Sequence, residues 1–190
     1  MSLFRANEPS GVRVNTRSGA KEVPYTGPAW WVTGLALAIA LLAQVELAHF
    51  VNVRGGQPSL VLVLVVWYAL HADWRRAAIF GLLAGACEDA LGAQTGASWT
   101  IATTATAIFA NTLARWFMPD SLAVAALVAF ACTLLRRMLF WVMMALTMNY
   151  PPGYARVHFH QAVWSSLLNA VLIVVGMLLR RRYEARALRT

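Results

Sequence analysis

Charged side chains set inside apolar runs are where this 190-residue sequence holds the means to do chemistry. Glu88 and Asp89 stand in GLLAGACEDALGAQTG, from Gly81 to Gly96, Arg136 and Arg137 in ALVAFACTLLRRMLFWVMM, and Glu46 and His49 in LALAIALLAQVELAHF. Groups of this kind carry protons or ions, recognise a ligand, or pair with one another and fix how helices pack. A lone charge at the centre of a bilayer costs roughly 2.5 to 3.5 kcal/mol on insertion scales, so each needs a partner, a proton or a role. We read this cluster as structural or partner-docking in preference to a proton or substrate site.

Spacing refines that reading. Gly81, Gly85, Asp89, Gly92 and Gly96 recur at intervals of three or four residues, which places them on one helix face. Small residues on a face let a neighbouring backbone come close, as membrane helix pairs require. Adjacent residues on a helix point about 100° apart, so only one of the two acids lies centrally on the glycine face. We assign that place to Asp89 and expect Glu88 to turn toward a second helix, a water-filled crevice or a separate protein. A second ridge repeats every fourth residue at Ala102, Thr106, Ala110 and Ala114, beside Thr103, Ala107 and Asn111, and marks an interior helix. The two small-residue faces form the expected groove for helix packing or for a partner.

Other chemistries lack their residues. His158 and His160 diverge at an i, i+2 spacing on a helix and have no companion ligands, so no metal site is expected. G-x-S-x-G, H-E-x-x-H and P-loop patterns are absent. Ser98 has no local base and reads as the cap of a helix. Cys87 and Cys132 lie in apolar runs and report burial. We expect a non-enzyme with no catalytic residues and no cofactor.

The elements that position these groups are membrane helices. The chain is 59% hydrophobic and 13% charged, the balance of an all-α integral membrane protein. Six transmembrane spans are predicted, near 29–53, 58–72, 77–97, 98–117, 121–148 and 159–180. The second is short, since about 14 residues rise about 21 Å against a hydrocarbon core of about 30 Å. It begins earlier, lies where the bilayer thins, or enters obliquely. Residues 1–28 are a polar cytoplasmic tail, 29–180 the membrane domain and 181–190 a basic cytoplasmic tail. With the amino terminus inside, 12 of the 16 basic residues fall on cytoplasmic segments and only Arg54 and Arg156 face out. Both termini are thus predicted cytoplasmic, in a multi-pass membrane protein. The net charge of +8 is an orientation signal, with some attraction to anionic lipid, and not a sign of nucleic-acid binding.

Depth brings the charges together. Asp89 lies about 18 Å along its span, Arg136 about 22 Å and Glu46 about 25 Å, all rising in the same direction. We expect Asp89 or Glu46 to pair with Arg136 or Arg137.

These features resemble one family. PSLVLVLVVWYAL from Pro58, the basic turn HADWRR, Asp89 between Gly85, Gly92 and Gly96, and SSLLNAVLIVVGMLLRR are similar to the MreD family of bacterial rod shape-determining membrane proteins. The resemblance spans roughly residues 30 to 182. It implies a non-enzymatic scaffold of the elongation complex that directs lateral peptidoglycan synthesis. Its partner would be MreC, and through the complex MreB, RodA and a class B penicillin-binding transpeptidase. The fold also looks like the six-helix substrate-binding component of energy-coupling vitamin transporters, which supplies the alternative function of a small-molecule transport subunit.

Overall fold

A computed structural model of the chain describes residues 30–92, 95–117, 121–148 and 152–187. Among them are six α-helices: α1 (Trp30–Phe50), α2 (Leu60–His71), α3 (Trp74–Leu91), α4 (Ser98–Trp116), α5 (Leu122–Met148) and α6 (Ala155–Ala187), with a 3-10 turn at Pro152–Tyr154. The one β-type pairing in the described residues is an isolated bridge between Val53 and Gly56. The fold is all-α. The tail of residues 1–28 lies outside the described residues.

Three helices are long and apolar enough to cross a membrane, over Trp30–Leu47, Leu122–Thr147 and Ala155–Tyr183. The 12 residues of α2 are apolar but short. In α3 the residues Arg75, Arg76, Glu88 and Asp89 lower the hydropathy, and in α4 the threonines, Asn111 and Arg115 do so.

Burial explains these compositions. α2 is apolar all round because it is buried all round, with Val61, Leu62, Val65, Val66, Tyr68, Ala69 and Leu70 all inside. Its β-branched residues would be poor helix formers alone, and tertiary packing overrides that preference. α4 packs against α2, α3 and α5. Its small residues suit that central place, since Ala102, Thr103, Thr106, Ala107 and Ala110 are fully enclosed. α1 is peripheral and lies on α2, burying Thr33 and Leu37 while Trp31, Leu35, Leu42 and Phe50 stay exposed. Trp30, Tyr68 and Phe80 meet in sequence as tilted rings, with centroids 6.0 Å and 4.6 Å apart, and tie α1, α2 and α3 together.

Several boundaries differ from the sequence-based ones. α3 starts at Trp74 because the Asp73 carboxylate accepts the Arg76 N–H at 2.9 Å. It stops at Leu91, well before the expected residue 97. Gly92 is its C-cap, and Gly96 sits in the following turn with φ +58. These two glycines therefore do not belong to the helical face of Gly81 and Gly85. α6 continues to Ala187, so the basic residues from Arg180 to Arg186 are helical and run on from the sixth predicted span.

Candidate functional site: a polar cluster inside the bundle

The glycine face of α3 is filled from within. A Cβ on Gly81 would lie 2.6 Å from the Ala107 Cβ, and one on Gly85 would lie 2.6 Å from the Thr100 Cα. Gly81 and Gly85 thus let α4 seat directly on α3. Of the two uses expected for the small-residue faces, helix packing or a partner groove, Gly81, Gly85, Ala102, Thr106 and Ala110 serve packing between helices of this chain. Ala114 continues the ridge, partly buried against the same core.

This close approach brings the N-terminus of α4 to the end of α3, where Asp89 receives it. Both carboxylate oxygens of Asp89 are occupied: Oδ1 accepts from Thr95 Oγ1 at 2.9 Å and Trp99 N at 3.1 Å, and Oδ2 from Thr100 N at 2.7 Å and Thr100 Oγ1 at 2.6 Å. A carboxylate at a helix N-terminus satisfies otherwise unpaired N–H groups and meets the positive end of the helix dipole. Asp89 is therefore the cap of α4, delivered from another helix. Ser98, expected to cap it, is the first helical residue, and the N-cap Ala97 contributes no side-chain bond. The expected pairing of Asp89 with an arginine is not what forms.

Glu88 is the acid that meets an arginine. Its Oε2 accepts a charge-assisted hydrogen bond from Arg136 Nη2, and both side chains are almost fully enclosed. Arg136 also donates from Nε to Thr103 Oγ1 at 2.9 Å and from Nη1 to Ser59 Oγ at 3.3 Å. Its guanidinium carbon lies 4.4 Å from the centre of the Trp99 ring, which in turn stacks on Phe140 at 3.9 Å. One planar cation is thus held by an anion, two hydroxyls and an aromatic face. This arrangement links α2, α3, α4 and α5.

The hydroxyl of Ser59 connects that cation to the buried start of α2. Ser59 Oγ accepts from Leu62 N at 3.2 Å and donates to Gln44 Oε1 at 3.1 Å, and Gln44 Oε1 also accepts from Val61 N at 3.2 Å. Asn169 of α6 accepts from Ser59 N at 2.7 Å and donates to Thr133 of α5 at 3.2 Å. At the other end of α2, Asn111 donates to the carbonyls of Ala69 and Ala72 at 2.9 and 2.7 Å. Both ends of this short buried helix are therefore satisfied by side chains from its neighbours.

Arg137 follows Arg136 but turns toward α6, donating from Nη2 to Ser165 Oγ at 3.3 Å. His158 lies with Nε2 3.3 Å from the Arg137 carbonyl oxygen, and His160 Nε2 accepts from Trp164 Nε1 at 3.2 Å. The two histidines thus face different partners. Glu46 is exposed on the outer side of α1, away from the arginines, so the alternative pairing through Glu46 does not form either. The side chain of His49 lies outside the described residues. Among the described residues no three His, Cys, Asp or Glu side chains come together in a way that would hold a metal ion.

Ser59, Ser165 and Trp99 take central parts that sequence reasoning did not give them. Pro58-Ser59 ahead of an apolar run is a helix-start signal and would have found the first. No local pattern marks the other two.

Residues 28–182 match the family model described as rod shape-determining protein MreD. No curated protein and no solved structure matches the chain.

Proposed function

Because the chain belongs to the MreD family, a family of rod shape-determining membrane proteins, we propose that it is a non-catalytic scaffold that binds MreC and supports lateral peptidoglycan synthesis. MreB, RodA and the class B transpeptidase would be reached through that complex. In this reading all six helices cross the cytoplasmic membrane and both termini are cytoplasmic, following the bias of the basic residues.

The observation that carries a scaffolding role is the use made of the polar residues. Glu88, Asp89, Arg136, Asn111, Asn169 and Ser59 spend their hydrogen bonds on neighbouring helices of the same chain. Such a network selects one helix arrangement, the best-attested use of a buried ion pair. A fixed arrangement is what a docking platform needs.

With the glycine face taken by α4, α1 is the surface we assign to the single span of MreC. It packs mainly on α2 and shows Trp31, Leu35 and Leu42 to the outside, with Glu46 exposed one turn beyond Leu42. A carboxylate on an apolar helix face gains from a donor on a facing helix. Copurification of MreC tests this. Wild type and the Gly176→Ala control on α6 should retain MreC equally, since Gly176 lies off α1 and a Cβ there meets nothing. Leu42→Trp combined with Glu46→Leu should reduce recovery at least tenfold while the melting temperature of the variant alone holds. Undiminished recovery would remove α1 from the interface, and no MreC with wild type would remove the partnership.

A further inference from the structure

We propose that an anionic phospholipid, from the leaflet that holds Arg180, lays one acyl chain in a channel floored by α2 and rests its headgroup against the basic end of α6. The inference rests on the helices spanning a bilayer, and it is independent of which protein the chain binds.

One stripe of α2 is covered less completely than the rest. Leu60, Val63, Leu64, Trp67 and His71 stay partly exposed while the residues between them are buried. Their spacing of i, i+3, i+4, i+7 and i+11 puts them on one line along the helix. α1 and α6 stand on either side of that line. Leu64 and Trp67 pack in one core cluster with Ala40 and Leu41 of α1, and Val63 packs in another with Val174 and Met177 of α6. Both helices pack on α2, yet they make no extended contact with each other among the described residues. The stripe is therefore the floor of an apolar channel, with α1 and α6 as its walls.

The two ends of the channel differ. At the Leu60 end the connection from α1 to α2 crosses to α6 as a strap. A Cβ on Gly56 would lie 2.5 Å from the Trp164 Cβ, the Arg54 guanidinium carbon lies 4.8 Å from the centre of the Trp164 ring, and Gln57 N donates to Ser165 Oγ at 3.1 Å. At the His71 end the channel is open and basic. The Arg180 guanidinium carbon lies 5.9 Å from the centre of the Trp67 ring, the His71 ring lies 5.3 Å from the same ring, and Arg181 and Arg182 follow on α6.

Those ends select the occupant. From His71 to Leu60 the helix rises about 17 Å, close to half of a hydrocarbon core of about 30 Å. A partner's spanning helix needs the full thickness and would run into the strap, whereas an acyl chain ends near the bilayer centre and fits a channel closed at that depth. A chain directed from Trp67 toward Leu60 carries its phosphate at the level of Arg180. Basic side chains at such a mouth between membrane helices recognise anionic headgroups. Trp30 meets Tyr68, the neighbour of Trp67, so two indoles stand at this end, as they do at headgroup depth.

The test is thermal unfolding of the lipid-stripped full chain in detergent. Its probes are phosphatidylglycerol, phosphatidylcholine with the same chains, and glycerophosphoglycerol, which is the headgroup without chains. Phosphatidylglycerol should raise the wild-type midpoint by about 3 to 6 °C, as a ligand about tenfold above its Kd does for a chain of this size. Phosphatidylcholine should need about tenfold more lipid for the same rise, and glycerophosphoglycerol should give none. Val63→Trp, which fills the floor, should lose most of the rise, while Val175→Trp on the exposed side of α6 should keep it. Arg180→Gln should respond to phosphatidylglycerol no better than to phosphatidylcholine. A full rise in Val63→Trp, an equal loss in Val175→Trp, or a rise with glycerophosphoglycerol would overturn the channel. Equal potency of the two lipids on wild type would overturn the basic mouth. A Val63→Trp protein that fails to fold would show that the stripe has no room for a chain, which also refutes the proposal. MreC recovery in the copurification above is read separately, so the failure of either reading leaves the other standing.

Discussion

Replacing Glu88 by leucine is expected to unfold this protein more readily than any other single polar substitution. The carboxylate is the only described anion paired with Arg136, whose other neighbours are the hydroxyls of Thr103 and Ser59 and the face of Trp99. Removing one member of a buried pair costs about 3 to 5 kcal/mol, because the survivor is left charged and enclosed. For a chain of this length that is a fall of about 6 to 20 °C in melting temperature. The reciprocal change, Arg136→Met, should be milder, since an orphaned carboxylate escapes by taking a proton and a guanidinium does not. Combining Glu88→Leu with Arg136→Met removes both charges together, and the double variant should return to within about 2 kcal/mol of wild type. Differential scanning fluorimetry in one detergent, on all four proteins, reads the coupling directly as a double-mutant cycle. If the double variant is no more stable than Glu88→Leu, or if an Asp89 and Arg136 charge exchange rescues where a Glu88 exchange does not, the pairing is wrong.

Three further outcomes follow from the same geometry. Gly81→Ala should destabilise by about 1 to 3 kcal/mol and be rescued by Ala107→Gly, since the clash is Cβ against Cβ; Gly85→Ala meets the backbone of Thr100 and should find no such suppressor in a thermal-shift screen. Asp89→Ala should cost about 1 to 3 kcal/mol and raise hydrogen exchange at the amides of Trp99 and Thr100, and exchange unchanged at those two amides would mean that Asp89 does not cap α4. Asn111→Leu leaves the carbonyls of Ala69 and Ala72 without their donor and should cost about 1 to 3 kcal/mol, measured as a lower midpoint of unfolding.

Helices were legible in the sequence because apolar length and breakers such as Pro58 are local properties. The interior place of α4 was legible too, since only a helix packed on several sides has reason to repeat alanine and threonine at Ala102, Thr106 and Ala110. The partner of Arg136 was not. Choosing between Glu88 and Asp89 needs the end of α3, and that end is set by a contact with α4 eleven residues away, Thr100 to Asp89. Once the helix stops at Leu91, the chain turns and the N–H groups of α4 claim Asp89, which frees Glu88 for the cation. Spacing rules assume a continuous helix through Gly96, and the turn there breaks the assumption.

α6 runs for 33 residues, about 50 Å, without a proline to bend it. Its middle carries Ser165 and Asn169, which touch the arginine pair and the buried start of α2, and its far end carries Arg180, Arg181, Arg182 and Arg186. A push or twist applied to that basic tip travels along a stiff shaft to the heart of the bundle. Whatever grips the tip therefore has a lever on the polar layer some way along the same helix.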